Sequence, residues 1–232
     1  MNRLTNPNTE ILEAAVQQLD DLTEQLVFLG GCATGLLITD SATPPIRFTH
    51  DVDVITEVAT MAEYYRLAAR LRDHGFQEDT SDNAPICRWK AQNIFLDVMP
   101  TNPAVLGFGS AWYQEALEAA TLVTLPSGQK IRMITAPYFL ACKIAAFESR
   151  GDGDFLMSHD MEDIVAILDG RPETPSEIEQ APEALRCHLG ECFSALINNG
   201  RFREALSGHM PGDAASQARI PIILKRIEVI TG

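Results

Sequence analysis

At 232 residues, with 46% hydrophobic and 22% charged side chains, the chain has the composition of a globular protein with a sizeable core, arranged as one large domain or as a larger domain followed by a smaller one. Eighteen basic residues against 32 acidic ones leave a net charge of −14. That argues against long DNA as a ligand, because proteins that live on phosphate contacts carry a basic face, although a local patch could still meet one end of a folded RNA.

No window approaches the roughly 18 apolar residues of a membrane span, so no membrane partner is expected. The amino terminus, Met1-Asn2-Arg3-Leu4-Thr5-Asn6-Pro7-Asn8, has no apolar signal core, and a cytoplasmic location is expected. The five cysteines, Cys32, Cys87, Cys142, Cys187 and Cys192, show no C-x-x-C spacing and suggest neither a disulfide framework nor a zinc site.

In chain order, Ile11, Leu12, Ala15, Val16, Leu19 and Leu22 recur at helical spacing and predict an amphipathic helix over residues 8–26. Residues 25–29 then read as a strand, Gly30-Gly31 as a turn and 32–38 as a short helix. Pro44-Pro45 enforces a loop. The run 47–57 is the second predicted strand, and Thr60-Met61-Ala62-Glu63 is a capping box that opens a helix ending near Gly75.

Residues 86–90 and 94–99 predict a hairpin that places Asp97 on a sheet face. A helix over 110–120 and a second hairpin, 122–125 with 130–134, complete the first part. From Thr135 onwards the pattern is helical, with segments at about 136–149 and 158–168, and Pro172, Pro175, Pro182, Gly200 and Pro211 divide the rest into short helices. The expected domains are therefore 1–134 and 135–232.

The chemistry concentrates in Arg47-Phe48-Thr49-His50-Asp51-Val52-Asp53. Residues i and i+2 of a strand face the same side, so Arg47, Asp51 and Asp53 project together and His50 faces away as a sheet histidine. Two carboxylates a few ångströms apart repel by roughly 1–4 kcal/mol at effective dielectrics of 80 to 20, which calls for a cation. Asp97, inside the apolar run Ile94-Phe95-Leu96-Asp97-Val98-Met99, is a third carboxylate that needs a partner. Hard oxygen ligands favour Mg2+ or Mn2+. Gly30-Gly31, between a strand and a helix start, makes either a tight turn or a place where backbone N–H groups meet a phosphate.

Other chemistries lack their motifs. There is no G-x-x-x-x-G-K-[ST], no G-x-S-x-G and no H-E-x-x-H. Asp152-Gly153-Asp154 lacks the further acidic positions of a calcium loop.

Gly30-Gly31, Arg47-x-Thr49-x-Asp51-x-Asp53 and Asp97 resemble the motif set of the DNA polymerase β-type nucleotidyltransferase superfamily, best over residues 27–99. Downstream, Lys143-x-x-Ala146-x-x-x-Arg150 and Asp160-Met161-Glu162-Asp163-Ile164 resemble the abortive-infection AbiEii/AbiGii toxin-like branch, extending the similarity to about Leu168.

The resemblance implies an α/β (α+β) fold, a small mixed β-sheet core flanked by helices with a helical carboxy-terminal region. It implies transfer of a nucleoside monophosphate from an NTP to an acceptor hydroxyl with release of pyrophosphate. Asp51, Asp53 and Asp97 would hold the metal and act as the catalytic carboxylates, with Asp97 also the base. Gly30, Gly31, the Cys32 amide, Arg47 and Lys143 would bind the nucleotide. Relatives commonly carry Ser or Thr where this chain has Cys32. The acceptor implied by the toxin-like branch is RNA such as tRNA, or a protein, with an antitoxin as partner. Alternatives are an aminoglycoside- or lincosamide-type transfer to a small molecule, or a binding module without catalysis. Arg150 either completes the site or pairs with an aspartate to tie two helices together.

Overall fold

The computed structural model describes residues 6–232. The chain groups into two compact units: residues 6–35 with 47–135, and residues 36–46 with 136–232. The class is mixed α/β, with a seven-stranded mixed sheet and a helical carboxy-terminal region.

The first unit begins with α1 (Thr9–Leu19), which buries Leu12, Ala15, Val16 and Leu19 along one face. It is shorter than the apolar spacing predicts. Asp20 takes a positive φ of 48° and diverts the chain into a 3-10 turn over Asp20–Gln25. β1 (Leu26–Leu29) is buried throughout and runs directly into α2 (Gly30–Leu37). β2 (Asp51–Thr56) follows, then α3 (Met61–Asp73).

The capping box of α3 forms as its spacing predicts. The Thr60 hydroxyl accepts the Glu63 N–H, and the Glu63 carboxylate accepts the N–H groups of Thr60 and Ala59 at 3.0 and 2.8 Å.

A two-residue strand, β3 (Gln77–Glu78), precedes the hairpin of β4 (Arg88–Ala91) and β5 (Ile94–Pro100). Gln77 and Glu78 are both exposed and polar, so no alternating pattern marks them. α4 (Tyr113–Glu118) and the antiparallel pair β6 (Thr121–Thr124) and β7 (Lys130–Met133) complete the unit. The strand order is β3-β4-β5-β2-β1-β7-β6. β2 lies antiparallel to β1 and parallel to β5, which puts the end of β1 and the middle of β5 on either side of the Asp51–Asp53 segment.

The second unit contains α5 (Ala136–Arg150), α6 (His159–Gly170), α7 (Thr174–Glu179), α8 (Glu183–Asn198), α9 (Gly200–Ala205), α10 (Ala214–Gln217) and α11 (Ile220–Thr231). Leu140, Ile144, Ile164, Leu168, Leu189, Phe193, Ile223 and Ile227 form its core. Pro175 and Pro221 sit in the first turns of α7 and α11, where the missing N–H costs nothing.

Residues 36–46 belong to this unit because the end of α6 holds them. The Gly170 carbonyl accepts the N–H groups of Thr39 and Asp40 at 3.0 and 2.9 Å. A Cβ on Gly170 would lie 2.9 Å from the Ile38 side chain, so any larger residue there would have to push that side chain aside. Arg219 joins Asp40 and Asp169 at 2.6 and 2.7 Å. Among the described residues, no helix is long and apolar enough to cross a membrane.

The Asp169 side chain is only 1% exposed, so its charge depends on Arg219. Replacing Arg219 by alanine leaves a buried carboxylate without its ion partner, and is expected to destabilise the helical unit by about 3–5 kcal/mol in urea unfolding. A loss below about 1 kcal/mol would show that the pair does not hold this unit.

Candidate active site

The site is built where β1, β2, β5 and β4 lie side by side. In β2 the side chains alternate: Val52 and Val54 are fully buried, while Asp51 and Asp53 stand on the opposite, partly open face. β5 pairs in parallel so that Asp53 lies beside Asp97, and β4 pairs with β5 so that Asp97 lies beside Arg88. Asp53, Asp97 and Arg88 therefore stand abreast on neighbouring strands, with Asp51 two residues before Asp53.

Arg88 ties this row together. Its Nε donates to Asp97 Oδ1 at 2.8 Å, and its Nη2 donates to Asp97 Oδ2 at 2.7 Å and to Asp51 Oδ2 at 2.8 Å. The bidentate fork is the strong form of an arginine–carboxylate pair. The bonds to Asp97 hold the guanidinium above its ordinary pKa. Burial raises the Asp51 pKa, but the Thr49 hydroxyl, which donates to Asp51, and the Arg88 charge outweigh it, so the carboxyl sits below its usual range. The neighbouring Cys87 thiol is pushed up to about 12 by burial and by the charges of Asp97 and Asp53. It is no nucleophile at neutral pH.

Gly30 fits on two counts. Its φ is +72°, and an added Cβ would fall 1.8 Å from Asp53 Oδ2, so only glycine lets the Asp53 carboxylate rest at the first residue of α2. That helix end carries partial positive charge, which suits the carboxylate. Arg47 reaches the same turn: its guanidinium lies where a Cβ on Gly31 would be, 2.4 Å from that position.

The residues leading into β2 are not strand. Asn8, fully buried, replaces the ladder there: its amide nitrogen donates to the carbonyls of Gly31 and Arg47 at 3.3 and 3.1 Å, and its Oδ1 accepts the Thr49 N–H at 3.0 Å. One side chain thus fixes the glycine turn relative to the segment carrying Arg47, Thr49 and Asp51.

The Cys32 side chain turns inward, is fully buried and donates to the Leu29 carbonyl at 3.4 Å. The thiol of this residue is directed into the core. Lys143 stands on α5 of the helical unit. It is 8% exposed and ion-paired with Asp160 and Asp163 of α6 at 3.2 and 2.6 Å. Arg150 makes two further bonds to Asp160 at 3.0 Å, the helix-tying role among the two the spacing allows.

Asp51, Asp53, Asp97, Gly30, Gly31, Cys32 and Arg47 all belong to the sheet unit. Among the described residues, no group of three or more His, Cys, Asp and Glu side chains stands at a spacing that would hold a metal ion. Arg88 is interposed between two of the three aspartates.

Arg88 and Asn8 are the functional candidates that sequence reasoning passes over. A signal for Arg88 exists. With the hairpin turning at Gln92 and Asn93, register counts back from Ala91–Ile94 to Arg88–Asp97. Asn8 has no local signal, because its three bonds reach 23 to 41 residues along the chain.

No protein-family model and no curated protein sequence matches the chain. Among solved structures, it is similar to an antigenic nucleotidyltransferase-like protein from Paracoccidioides brasiliensis. The identity is 20% over 88% of this chain and 94% of that one, with a TM-score of 0.50. The likeness is one of fold.

Two outcomes follow from this geometry. Asn8→Ala leaves three backbone groups without their partner and is expected to cost about 1–3 kcal/mol in urea unfolding, with faster amide exchange at Thr49; unchanged exchange there would remove Asn8 from the site. Because the Asp51 pKa is depressed on folding, its contribution is present above the unfolded carboxylate value of about 3.9 and is lost as pH falls through the lower folded value. Asp51→Asn should therefore flatten the acid limb of stability against pH below about pH 4, and an unchanged limb would contradict the assignment.

Proposed function

We propose that the chain is a metal-dependent nucleotidyltransferase that moves a nucleoside monophosphate from an NTP to an acceptor hydroxyl and releases pyrophosphate. The observation that carries this reading is the row of carboxylates: Asp53 and Asp97 abreast on parallel strands, Asp51 two residues before, and Gly30 pressed against Asp53 at the start of a helix. The fold of nucleotidyltransferase type supports it.

The donor set fits a hard divalent cation in kind. Three carboxylates supply oxygen ligands, and Arg88 stands among them as an internal cation where their charge demands one. Asp51, Asp53 and Asp97 would hold Mg2+ or Mn2+, which would balance the charge developing on the phosphate oxygens during in-line attack.

The chain's own groups do the rest. The amides of Gly30, Gly31 and Cys32, at the positive end of α2, receive phosphate oxygens, and Arg47, lying on Gly31, adds charge to the same anion. Asp97 accepts the proton of the attacking hydroxyl. Lys143, the lysine expected to meet the nucleotide, is paired with Asp160 and Asp163 within the helical unit.

The likeness of 143–164 to the toxin-like branch favours RNA or a protein as acceptor and an antitoxin as partner. The net charge of −14 suits a cationic small molecule such as an aminoglycoside. A specific observation favours a reading from another class, a binding module without catalysis: Arg88 already satisfies Asp51 and Asp97.

Incubation with Mg2+, each labelled NTP and, in turn, total RNA, protein or an aminoglycoside panel separates these readings. Label transfer to one acceptor class is expected, and Asp53→Asn should lower it by roughly 10²–10³-fold with the fold intact. Full activity in Asp53→Asn would refute the metal assignment, and absence of transfer and of metal-dependent NTP binding would leave the binding module.

A further inference from the structure

Arg88 balances the carboxylates of the site but takes no step in the nucleotidyl-transfer scheme. Its guanidinium makes three bonds of 2.7–2.8 Å to Asp97 and Asp51 and lies 5.6 Å from the Phe95 ring centroid. The Arg88 side chain is 22% exposed, against 10% for Asp97 and 33% for Asp51. The exposure of the cation thus lies between those of the two carboxylates it bridges.

We propose that Arg88 is a displaceable counter-cation, a latch that holds Asp51 and Asp97 in the metal-free protein and must swing away when a divalent ion takes them. The proposal rests on the metal-site reading above. The guanidinium uses one lone-pair direction on each Asp97 oxygen and one on Asp51 Oδ2, so a metal approaching those oxygens competes with the fork for them. A monovalent cation and a dication also cannot share that spacing without strong repulsion. Metal loading and Arg88 release are thus one exchange, and the released guanidinium stays on the strand next to the site as a donor for an incoming phosphate.

The latch and a purely structural ion pair predict opposite signs. If Arg88 only supports the fold, its removal loosens the carboxylates and weakens metal binding. If it competes, its removal strengthens binding. The test is titration of the full chain with Mn2+, followed by loss of the free-ion electron paramagnetic resonance signal, together with thermal melting in chelator and in Mn2+.

Arg88→Gln is expected to bind Mn2+ at least about tenfold more tightly than the unaltered chain. It should melt lower in chelator, because Asp97 is left buried without a cation, and recover on adding Mn2+. Arg88→Lys keeps one charge but loses the fork, and should fall between the two. It carries the comparison should the glutamine variant not fold. Equal or weaker Mn2+ binding by folded Arg88→Gln or Arg88→Lys overturns the latch. Absence of Mn2+ uptake by the folded variants and the unaltered chain alike overturns the metal site itself, whereas equal uptake by all overturns the latch alone.

Discussion

Three carboxylates on one face of a sheet cannot stand together without positive charge, and the sheet unit meets that demand from its own chain. β2 and β5 run parallel with Asp53 beside Asp97, and β4 returns beside β5 to place Arg88 over Asp97 and Asp51. The surroundings are consistent with this balance: the Asp51 carboxyl is held below its usual range, and the Cys87 thiol is pushed up to about 12 by burial and by the same carboxylates. An acidic row of this kind is a destabilising element unless positive charge is supplied. The guanidinium supplies it.

The glycine turn is held by two distinct means. Gly30 allows the Asp53 carboxylate to touch the backbone at the start of α2, and Asn8 bonds Gly31, Arg47 and Thr49 from inside the unit. The amide does what a strand ladder would otherwise do. It leaves residues 47–50 irregular, so that Arg47 can lie on Gly31. A buried amide with all its bonds made is a rigid element, because any movement exposes an unpaired polar group.

The helical unit uses buried charge in the same economical way. Lys143 is shared by Asp160 and Asp163, Arg150 makes a fork to Asp160, and Arg219 binds Asp40 and Asp169. The residues that resemble a toxin-like signature are thus also the ion pairs that join α5 to α6. A motif lysine can be recognised in a sequence, but its partner decides which task it performs.

Much of the fold is legible in the chain because it is local. Periodicity marks α1, α3, α5 and α6, the capping box marks where α3 begins, and the alternation of Asp51-Val52-Asp53 and Leu96-Asp97-Val98 marks which side chains share a face. The two-residue β3 and the early end of α1 escape because two exposed polar residues and one positive φ leave no periodic trace. By itself the sequence determined the strand–glycine–helix unit and the three aspartates. Only the tertiary structure decided that Arg88 bridges Asp51, 37 residues away, that Asn8 fixes the turn, that the Cys32 thiol points inward and that residues 36–46 join the helical unit. Each of those depends on a buried charge, amide or thiol finding its partner, and that is settled by which segments pack together rather than by any pattern along the chain.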